Sequence, residues 1–321
     1  MRLFRWLFVP VIWAVCVPAA KGQALTYDAT VIADTFGLHE PVWVHFVARN
    51  MTADTIPAMS LEVDAASHRL WLYDDNWVDI TGGVPGGTYV PHPSDVIRPM
   101  GIRESFADLN WRCSFRDSSV LRDGVLPETY FPPGVYHAVF RWRYDPWGRA
   151  TVGGSPYLWD TVTFCVVIPQ GSDSLAMESY LNATRQPGAR HTELLWRTYE
   201  AFPHSRYAPA CLEFVAIRMR APDSRLPWLS FQDVVRRLVL TAPDHPRAVL
   251  EIKDAARYNE FGEDWAEKSR SLDKGFLRSI SDSVPPQSRA GKICAGLLNG
   301  VENEVLRFTP GLKLKKDRDK K

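Results

Sequence analysis

The chain contains 321 residues, of which 45% are hydrophobic and 23% are charged, and its formal net charge is +1 at pH 7. This composition is that of an ordinary globular protein, and the length is sufficient for two domains with separate hydrophobic cores. No stretch after residue 22 approaches the about 18 uninterrupted apolar residues of a membrane-spanning helix, so we expect the exported chain to be soluble.

The first 22 residues have the organisation of a secretory signal peptide. Arg2 and Arg5 precede an apolar run over residues 7–17, and small residues lie close to Gly22. This order predicts export with cleavage near Gly22, and therefore a secreted or periplasmic protein. A membrane anchor is disfavoured because about eleven apolar residues are too few to cross a hydrocarbon core, which requires about 20. A lipid anchor at Cys16 is disfavoured because the preceding residues are not all small.

Charge is divided unequally along the mature chain. Residues 23–168 contain ten arginines, no lysine and 17 acidic residues, a net charge of −7, whereas residues 169–321 contain 25 basic and 20 acidic residues, a net charge of +5. Opposite signs favour docking of one half on the other, or separate surfaces for separate partners. Residues 310–321 are mainly basic and polar, which predicts a disordered, solubilising tail. Export argues against nucleic acid as a partner, and the membrane is met only during export.

Several runs within residues 23–168 alternate apolar and polar side chains, which is the period of a half-buried β-strand. The clearest runs are residues 42–49, 136–143 and 161–168, and turn-forming residues separate the predicted strands. The predicted inward face of the second run consists of Tyr136, Ala138, Phe140 and Trp142. His45 and His137 fall on outward faces, where we expect them to be solvated. Six or more short strands without an intervening amphipathic helix predict a sandwich of β-sheets.

A local motif gives this half a resemblance to a known family. Residues 131–138 read Phe-Pro-Pro-Gly-Val-Tyr-His-Ala, with Tyr136 two positions after Gly134. The segment resembles the turn before the penultimate strand of immunoglobulin-like domains, where a tyrosine latches the corner. The resemblance implies an immunoglobulin-like β-sandwich over residues 23–168. The sequence departs from antibody domains at Ala138, where those domains have a cysteine that joins the two sheets.

Residues 172–309 change to the period of a helix, and an apolar pattern occurs three times. Its copies are Leu194, Leu195, Thr198, Tyr199 and Phe202; Val234, Val235, Leu238, Val239 and Ala242; and Phe276, Leu277, Ile280, Ser281 and Val284. A proline follows each copy, at Pro203, Pro243 and Pro285, and ends the helix because proline cannot supply an amide proton. A second helical pattern then follows, so a spacing of about 40 residues predicts an array of helical hairpins.

The turn at residues 199–208 resembles the inter-helix turn of tetratricopeptide-like repeats in bacterial exported proteins. The spacing of about 40 residues exceeds that family's period of about 34, so a generic α-hairpin solenoid is the alternative. Such arrays bind partners along a concave face. The predicted fold class is therefore an all-β immunoglobulin-like sandwich over residues 23–168, followed by an all-α helical-hairpin repeat domain over residues 172–309.

Four cysteines follow the predicted signal peptide, two in each half. They are Cys113 and Cys165 in the β-rich half and Cys211 and Cys294 in the helical half. An even number in each half predicts one disulfide per half in an oxidising compartment. The alternative is that each cysteine is a small buried hydrophobic residue.

The sequence contains no pattern that indicates a catalytic, cofactor or metal site. The eight histidines are scattered, without a pair one helical turn apart for zinc, and no glycine-flanked nucleophilic serine or phosphate-binding loop is present. The densest acidic cluster consists of Asp74, Asp75, Asn76 and Asp79. A hairpin turn is favoured over a calcium site, because the glycine and the distal glutamate of a calcium loop are missing.

Tryptophan is unusually abundant in the β-rich half, with seven between residues 23 and 168. Trp77, Trp147 and Trp159 are candidates for a binding surface, while the alternative for turn-located tryptophans is that they cap the core. The sequence favours a non-enzymatic exported binding or scaffold protein that contacts another protein through the helical array. A carbohydrate-binding module that uses these tryptophans is the alternative, and an enzyme of unrecognised class is the third possibility.

Overall fold

The computed structural model describes residues 25–58, 61, 63, 68–81, 96–112, 131–144, 155–219, 225–257 and 272–300. The predicted signal peptide at residues 1–22 and the predicted basic tail at residues 310–321 lie outside the described residues. Cys113 and Trp147 also lie outside them.

The strands of the described residues lie between residues 25 and 167. They are β1 Leu25–Val31, β2 Thr35–Gly37, β3 Trp43–Asn50, β4 Ile56–Pro57, β5 His68–Asp74, β6 Val96–Ile97, β7 Ile102–Asp108, β8 Gly134–Arg143 and β9 Tyr157–Val167. They form a three-stranded sheet in the order β1-β3-β7, a four-stranded sheet in the order β2-β9-β8-β5 and the pair β4-β6. Neighbours are antiparallel except for the parallel pair β2-β9. A four-residue helix α1, Leu109–Arg112, follows β7.

Strand β8 shows how alternation sets the two faces of the four-stranded sheet. Its predicted inward residues are all buried, and the residues between them lie on the opposite face. The inward side chains share a core with those of the three-stranded sheet. There Phe46 of β3 packs edge-on against Phe140 of β8, with ring centroids 4.8 Å apart. The local pattern therefore predicts this strand and its buried face correctly.

The tyrosine corner predicted at Tyr136 is formed. Its hydroxyl donates a hydrogen bond to the carbonyl oxygen of Pro132 at 2.6 Å. Its ring packs on Phe131 and Phe164, with centroids 5.0 and 5.5 Å away. The contact fixes how the chain enters β8, but it is local and does not determine the fold class.

The helices that follow lie between residues 172 and 298. They are α2 Ser172–Thr184, α3 Gly188–Ala201, α4 Ala208–Met219, α5 Phe231–Thr241, α6 Pro246–Arg257, α7 Lys274–Ser281 and α8 Arg289–Leu298. Ser230, Asp273 and Ser288 cap α5, α7 and α8, each accepting a hydrogen bond from the amide three residues later. None of the helices in these ranges is both long and apolar enough to span a membrane.

The predicted fold class is wrong, because the described residues form a mixed α/β structure and not an all-β sandwich followed by a separate all-α domain. Strand β3 is buried on both faces: His45, predicted to be solvated, is only 8% exposed, and Trp43 on the same face is 3% exposed. The helices cover this second face. His245 packs edge-on against Trp43 with centroids 5.9 Å apart, and Arg289 contacts His45 with 2.9 Å between Nη2 and Nδ1.

The predicted helical-hairpin repeat is wrong as well. Helices flank Pro203, Pro243 and Pro285, but the pairs are not equivalent: they have 14 and 12, then 11 and 12, then 8 and 10 residues. Helix α4 is buried along most of its length because it packs on α3 and α5, and because its Glu213 contacts Trp43 of β3. The described helices are therefore one layer of a mixed structure, and not an array of equivalent hairpins with its own free concave face.

Candidate functional site

The four-stranded sheet presents a surface of aromatic and basic side chains on the side opposite its core, which we call the aromatic face. Side chains alternate along a strand, so outward residues of β5, β8 and β9 lie side by side in register. The face also includes a tryptophan of the hairpin that follows β5. Its members are Trp71, Tyr73, Trp77, His137, Arg141, Tyr157 and Trp159.

One end of the aromatic face is built around Arg141. Its guanidinium carbon lies 4.6 Å from the ring centroid of Tyr157, 5.1 Å from that of Trp71 and 5.4 Å from that of Trp159. The two indoles stack with centroids 5.6 Å apart and an interplanar angle of 22°. Trp159 is nevertheless 54% exposed. The rings therefore hold the arginine in place while part of the cluster faces solvent.

The other end is built around Trp77, which stacks on His137 with centroids 4.3 Å apart and an interplanar angle of 2°. A tight turn holds the indole there. Asp74 Oδ1 accepts hydrogen bonds from the amides of Asn76 and Val78, both at 2.9 Å. Trp77 itself has a φ of 59°, which is uncommon for a large side chain. The turn therefore keeps a tryptophan that is 56% exposed in an unfavourable backbone conformation.

The structure brings Trp77 and Trp159 together on one face. Neither the turn that contains Trp77 nor the strand that contains Trp159 predicts this by itself. Trp77 is 56% exposed and its ring lies against His137 on the outward side of the sheet, which does not fit the alternative in which Trp77 caps the core. Sequence reasoning missed Trp71, Tyr157 and the central role of Arg141. Strand alternation contained the signal, since all three occupy outward positions of their strands.

The three cysteines that the structure describes are free thiols. Cys211 and Cys294 are buried free thiols, so the disulfide expected within the helical half is not formed. Burial raises the pKa of the Cys294 thiol to about 11 and that of the Cys211 thiol further, which makes both unreactive at neutral pH. Cys165 is a half-buried free thiol on β9, and its predicted partner lies outside the described residues.

A cluster of ionisable side chains is buried where the helices meet β3. Arg247 lies between two carboxylates, with Nε 3.6 Å from Glu213 Oε1 and Nη1 3.5 Å from Glu251 Oε1. His245 Nε2 is 3.8 Å from Glu213 Oε2. Burial raises the pKa of Glu213 to about 7, opposed by Arg247 and the Trp43 indole, and burial together with Arg247 lowers the pKa of His245 to about 3.

A second contact joins the loop after β2 to the start of α4. Tyr207 donates a hydrogen bond to the carbonyl oxygen of Leu38 at 2.5 Å, and Arg206 Nε lies 3.1 Å from Glu40 Oε2. Burial raises the pKa of Glu40 to about 7, although the amide of Gly37 and the charge of Arg206 oppose the shift. Both buried contacts bind the helices to the strands, whereas Trp77 and Trp159 of the aromatic face remain exposed.

The acidic side chains of the described residues do not form a metal site. In the ranges that the structure covers, no group of three or more His, Cys, Asp or Glu side chains is placed to hold a metal ion. Asp74 of the acidic cluster instead accepts hydrogen bonds from the turn amides, as the hairpin interpretation predicts. The side chains of the aromatic face can form stacking, hydrogen-bond and charge contacts.

Comparisons with known proteins do not place the chain in a family. No protein-family model matches it, and no curated protein matches it. Among solved structures, Spo0M, a sporulation control protein from Bacillus subtilis, matches with 13% sequence identity and a TM-score of 0.24. The match covers 50% of this chain and 54% of that chain, so the chain spans about half the length of the protein it matches. A likeness at this TM-score carries no argument about fold or function.

Proposed function

We propose that the chain is a non-enzymatic binding protein, secreted or periplasmic, that holds a polysaccharide on the aromatic face. The observation that carries the proposal is the exposure of two tryptophans on one face of one sheet, 56% for Trp77 and 54% for Trp159. Each ring stacks on a neighbour at one side, on His137 or Trp71. This arrangement orients the indoles before a ligand arrives, which lowers the entropic cost of binding.

Exposed tryptophans are costly unless a ligand covers them. Burying a large apolar side chain is favourable by roughly 1.5–3 kcal/mol, and contiguous exposed apolar patches mark binding sites. A pyranose ring has a flat C–H surface that packs on an indole and hydroxyl groups that need polar partners at the edge. Thr161 and Thr163 are exposed at outward positions of β9 and supply hydroxyl groups beside the rings. The aromatic face therefore suits a sugar better than a purely apolar ligand.

Protein binding by the helices is the second candidate function. The sequence favoured it through a repeat with a free concave face, and that repeat is not formed. One observation still supports a protein partner: Trp228 is 60% exposed and packs edge-on against Trp196, with centroids 6.1 Å apart. The guanidinium of Arg237 lies 5.2 Å from the Trp196 ring. Tryptophan and arginine are enriched at the energetic centres of protein interfaces.

The test of the sugar proposal is affinity electrophoresis of the protein through gels that contain a polysaccharide, either hydroxyethylcellulose or polygalacturonate. Trp77→Ala and Trp159→Ala are each expected to weaken retention about fivefold or more, because loss of one stacking ring costs about 1 kcal/mol or more. Trp228→Ala is the matched control, since it removes an equally exposed tryptophan from the helical layer. We expect it to migrate like the wild type.

Two outcomes contradict the proposal. Wild-type protein that neither gel retards has no sugar-binding face of this kind. Equal retention of all three variants and the wild type shows that the rings at Trp77 and Trp159 are not the contact. Selective loss of a co-purifying protein in Trp228→Ala, with sugar binding absent, would favour the second candidate.

A further inference from the structure

Arg141 is the charged centre of the aromatic face, and its contacts are with rings. Three ring centroids lie within 5.4 Å of its guanidinium carbon. Within the part of the chain that the structure describes, the side chain has cation–π contacts and no carboxylate partner. The neighbouring rings occupy space beside the guanidinium and restrict its rotamers, so the charge is held at a defined place on the surface.

The aromatic face is basic, whereas residues 23–168, which form it, have a negative net charge. Residues 23–168 have a net charge of −7, with 17 acidic residues. The outward positions of β5, β8 and β9 nevertheless contain Arg69, Arg141 and Arg143 and no aspartate or glutamate. Register pairs Arg141 with Arg69 on one side and with Trp159 on the other, and pairs Arg143 with Tyr157. The acidic hairpin at Asp74 and Asp75 lies at the opposite, Trp77 end. The guanidinium of Arg141 thus places a positive charge among the rings at this end.

A guanidinium whose faces rest on aromatic rings keeps its N–H groups in the plane for hydrogen bonding. These donors match the two oxygens of a carboxylate, which is why arginine binds carboxylates in a bidentate manner. The guanidinium carbon of Arg141 lies 5.4 Å from the ring centroid of Trp159. The substituents of a sugar that stacks on Trp159 therefore lie close to Arg141. A carboxylate on the sugar ring can therefore reach the guanidinium while the sugar remains stacked.

We propose that the Arg141 end is a carboxylate subsite and that the polysaccharide is an acidic one built from uronic acid units. The proposal rests on the proposed function and names the chemical class of its ligand. Stacking on Trp159 supplies contact with the sugar ring, and Arg141 supplies the preference for the acid over a neutral sugar. Complementary charge between this end and the polymer also accelerates encounter.

The experiment compares polygalacturonate with the uncharged hydroxyethylcellulose in affinity electrophoresis at one ionic strength. Wild-type protein is expected to bind polygalacturonate more tightly. Arg141→Gln should weaken binding to polygalacturonate about tenfold more than it weakens binding to hydroxyethylcellulose, because it removes a charge-assisted bidentate contact that only the acidic polymer can make. Arg141→Lys keeps the charge but loses the planar fork, so we expect an intermediate loss. Arg278→Gln, at an exposed position of α7, is the charge-matched control.

The outcomes separate the subsite from the proposed function. Suppose that Arg141→Gln still prefers polygalacturonate, while Trp159→Ala no longer binds either polymer. This result overturns the carboxylate subsite but leaves the proposed function in place. An equal loss in Arg278→Gln overturns the subsite too, because general charge attraction then explains the preference. Failure of wild-type protein to bind either polymer removes the proposed function, and the subsite with it. If circular dichroism shows that Arg141→Gln misfolds, Arg141→Lys is the test variant. A preference for polygalacturonate as strong in Arg141→Lys as in the wild type contradicts bidentate recognition by Arg141.

Discussion

Replacing Glu213 with glutamine removes a titrating group from the contact between α4 and β3 while nearly preserving its shape. Burial raises the pKa of Glu213 from 4.5 to about 7, so the folded state binds this proton more tightly than the unfolded chain does. The favourable contribution of the protonated group is therefore complete below pH 4.5 and is lost as the pH rises to 7. At about 1.36 kcal/mol per pKa unit, the loss amounts to about 3 kcal/mol.

Glutamine cannot lose a proton, so the variant does not undergo this loss. We expect the free energy of unfolding of Glu213→Gln, relative to the wild type, to rise by about 3 kcal/mol between pH 4.5 and pH 8. His245 acts in the opposite sense. Its pKa is lowered from 6.5 to about 3, so its contribution is present above pH 6.5 and is lost as the pH falls toward 3. Because both proteins contain His245, the difference between them isolates Glu213.

The measurement is urea unfolding followed by tryptophan fluorescence at pH 4.5, 6 and 8, with both proteins at each pH. Glu104→Gln is the control at the same surface of the sheet. Contact with His45 holds the pKa of Glu104 below its usual value, so its contribution to stability is present above pH 4.5 and is lost only at lower pH. The difference between Glu104→Gln and the wild type should therefore stay nearly constant from pH 4.5 to pH 8. A difference for Glu213→Gln that is independent of pH would refute the reasoning, because Glu213 would then titrate as it does in the unfolded chain.

Two further substitutions test the packing of the chain. Gly37→Ala places a Cβ 2.6 Å from the hydroxyl oxygen of Tyr207, which must then leave the Leu38 carbonyl. We expect the free energy of unfolding, measured with urea, to fall by about 1–3 kcal/mol. Gly134→Ala is the control, because its Cβ has no neighbour closer than 3.8 Å. An equal fall in both variants would contradict the interpretation. Tyr136→Phe removes the corner hydrogen bond and should lower the free energy of unfolding by about 1 kcal/mol. No change in that variant would show that the corner does not contribute to stability.

Local chemistry alone determined much of the secondary structure. The alternation in residues 136–143 predicted both β8 and its buried face, because successive side chains of a strand point to opposite sides whatever packs on them. The corner at Tyr136 depends on a hydrogen bond to a carbonyl four residues earlier, which a short motif can specify. The apolar positions of α5 predicted its buried side for the same reason, since the period of a helix is a property of its backbone.

Only the tertiary structure decided what covers each face. The pattern of β3 predicted His45 to be solvated. His45 and its neighbour Trp43 are instead buried, because Arg289 of α8 and His245, directly before α6, pack on them from more than 200 residues later in the chain. Glu213 is 1% exposed for the same reason, although its type favours the surface. The cluster around Arg141 joins side chains of three strands that are far apart in sequence, and strand register, which single segments do not encode, brings them together. The repeat of apolar side chains along a strand or helix is a local property of the sequence. Which face is buried, and which side chains meet, depends on segments that are distant in the chain.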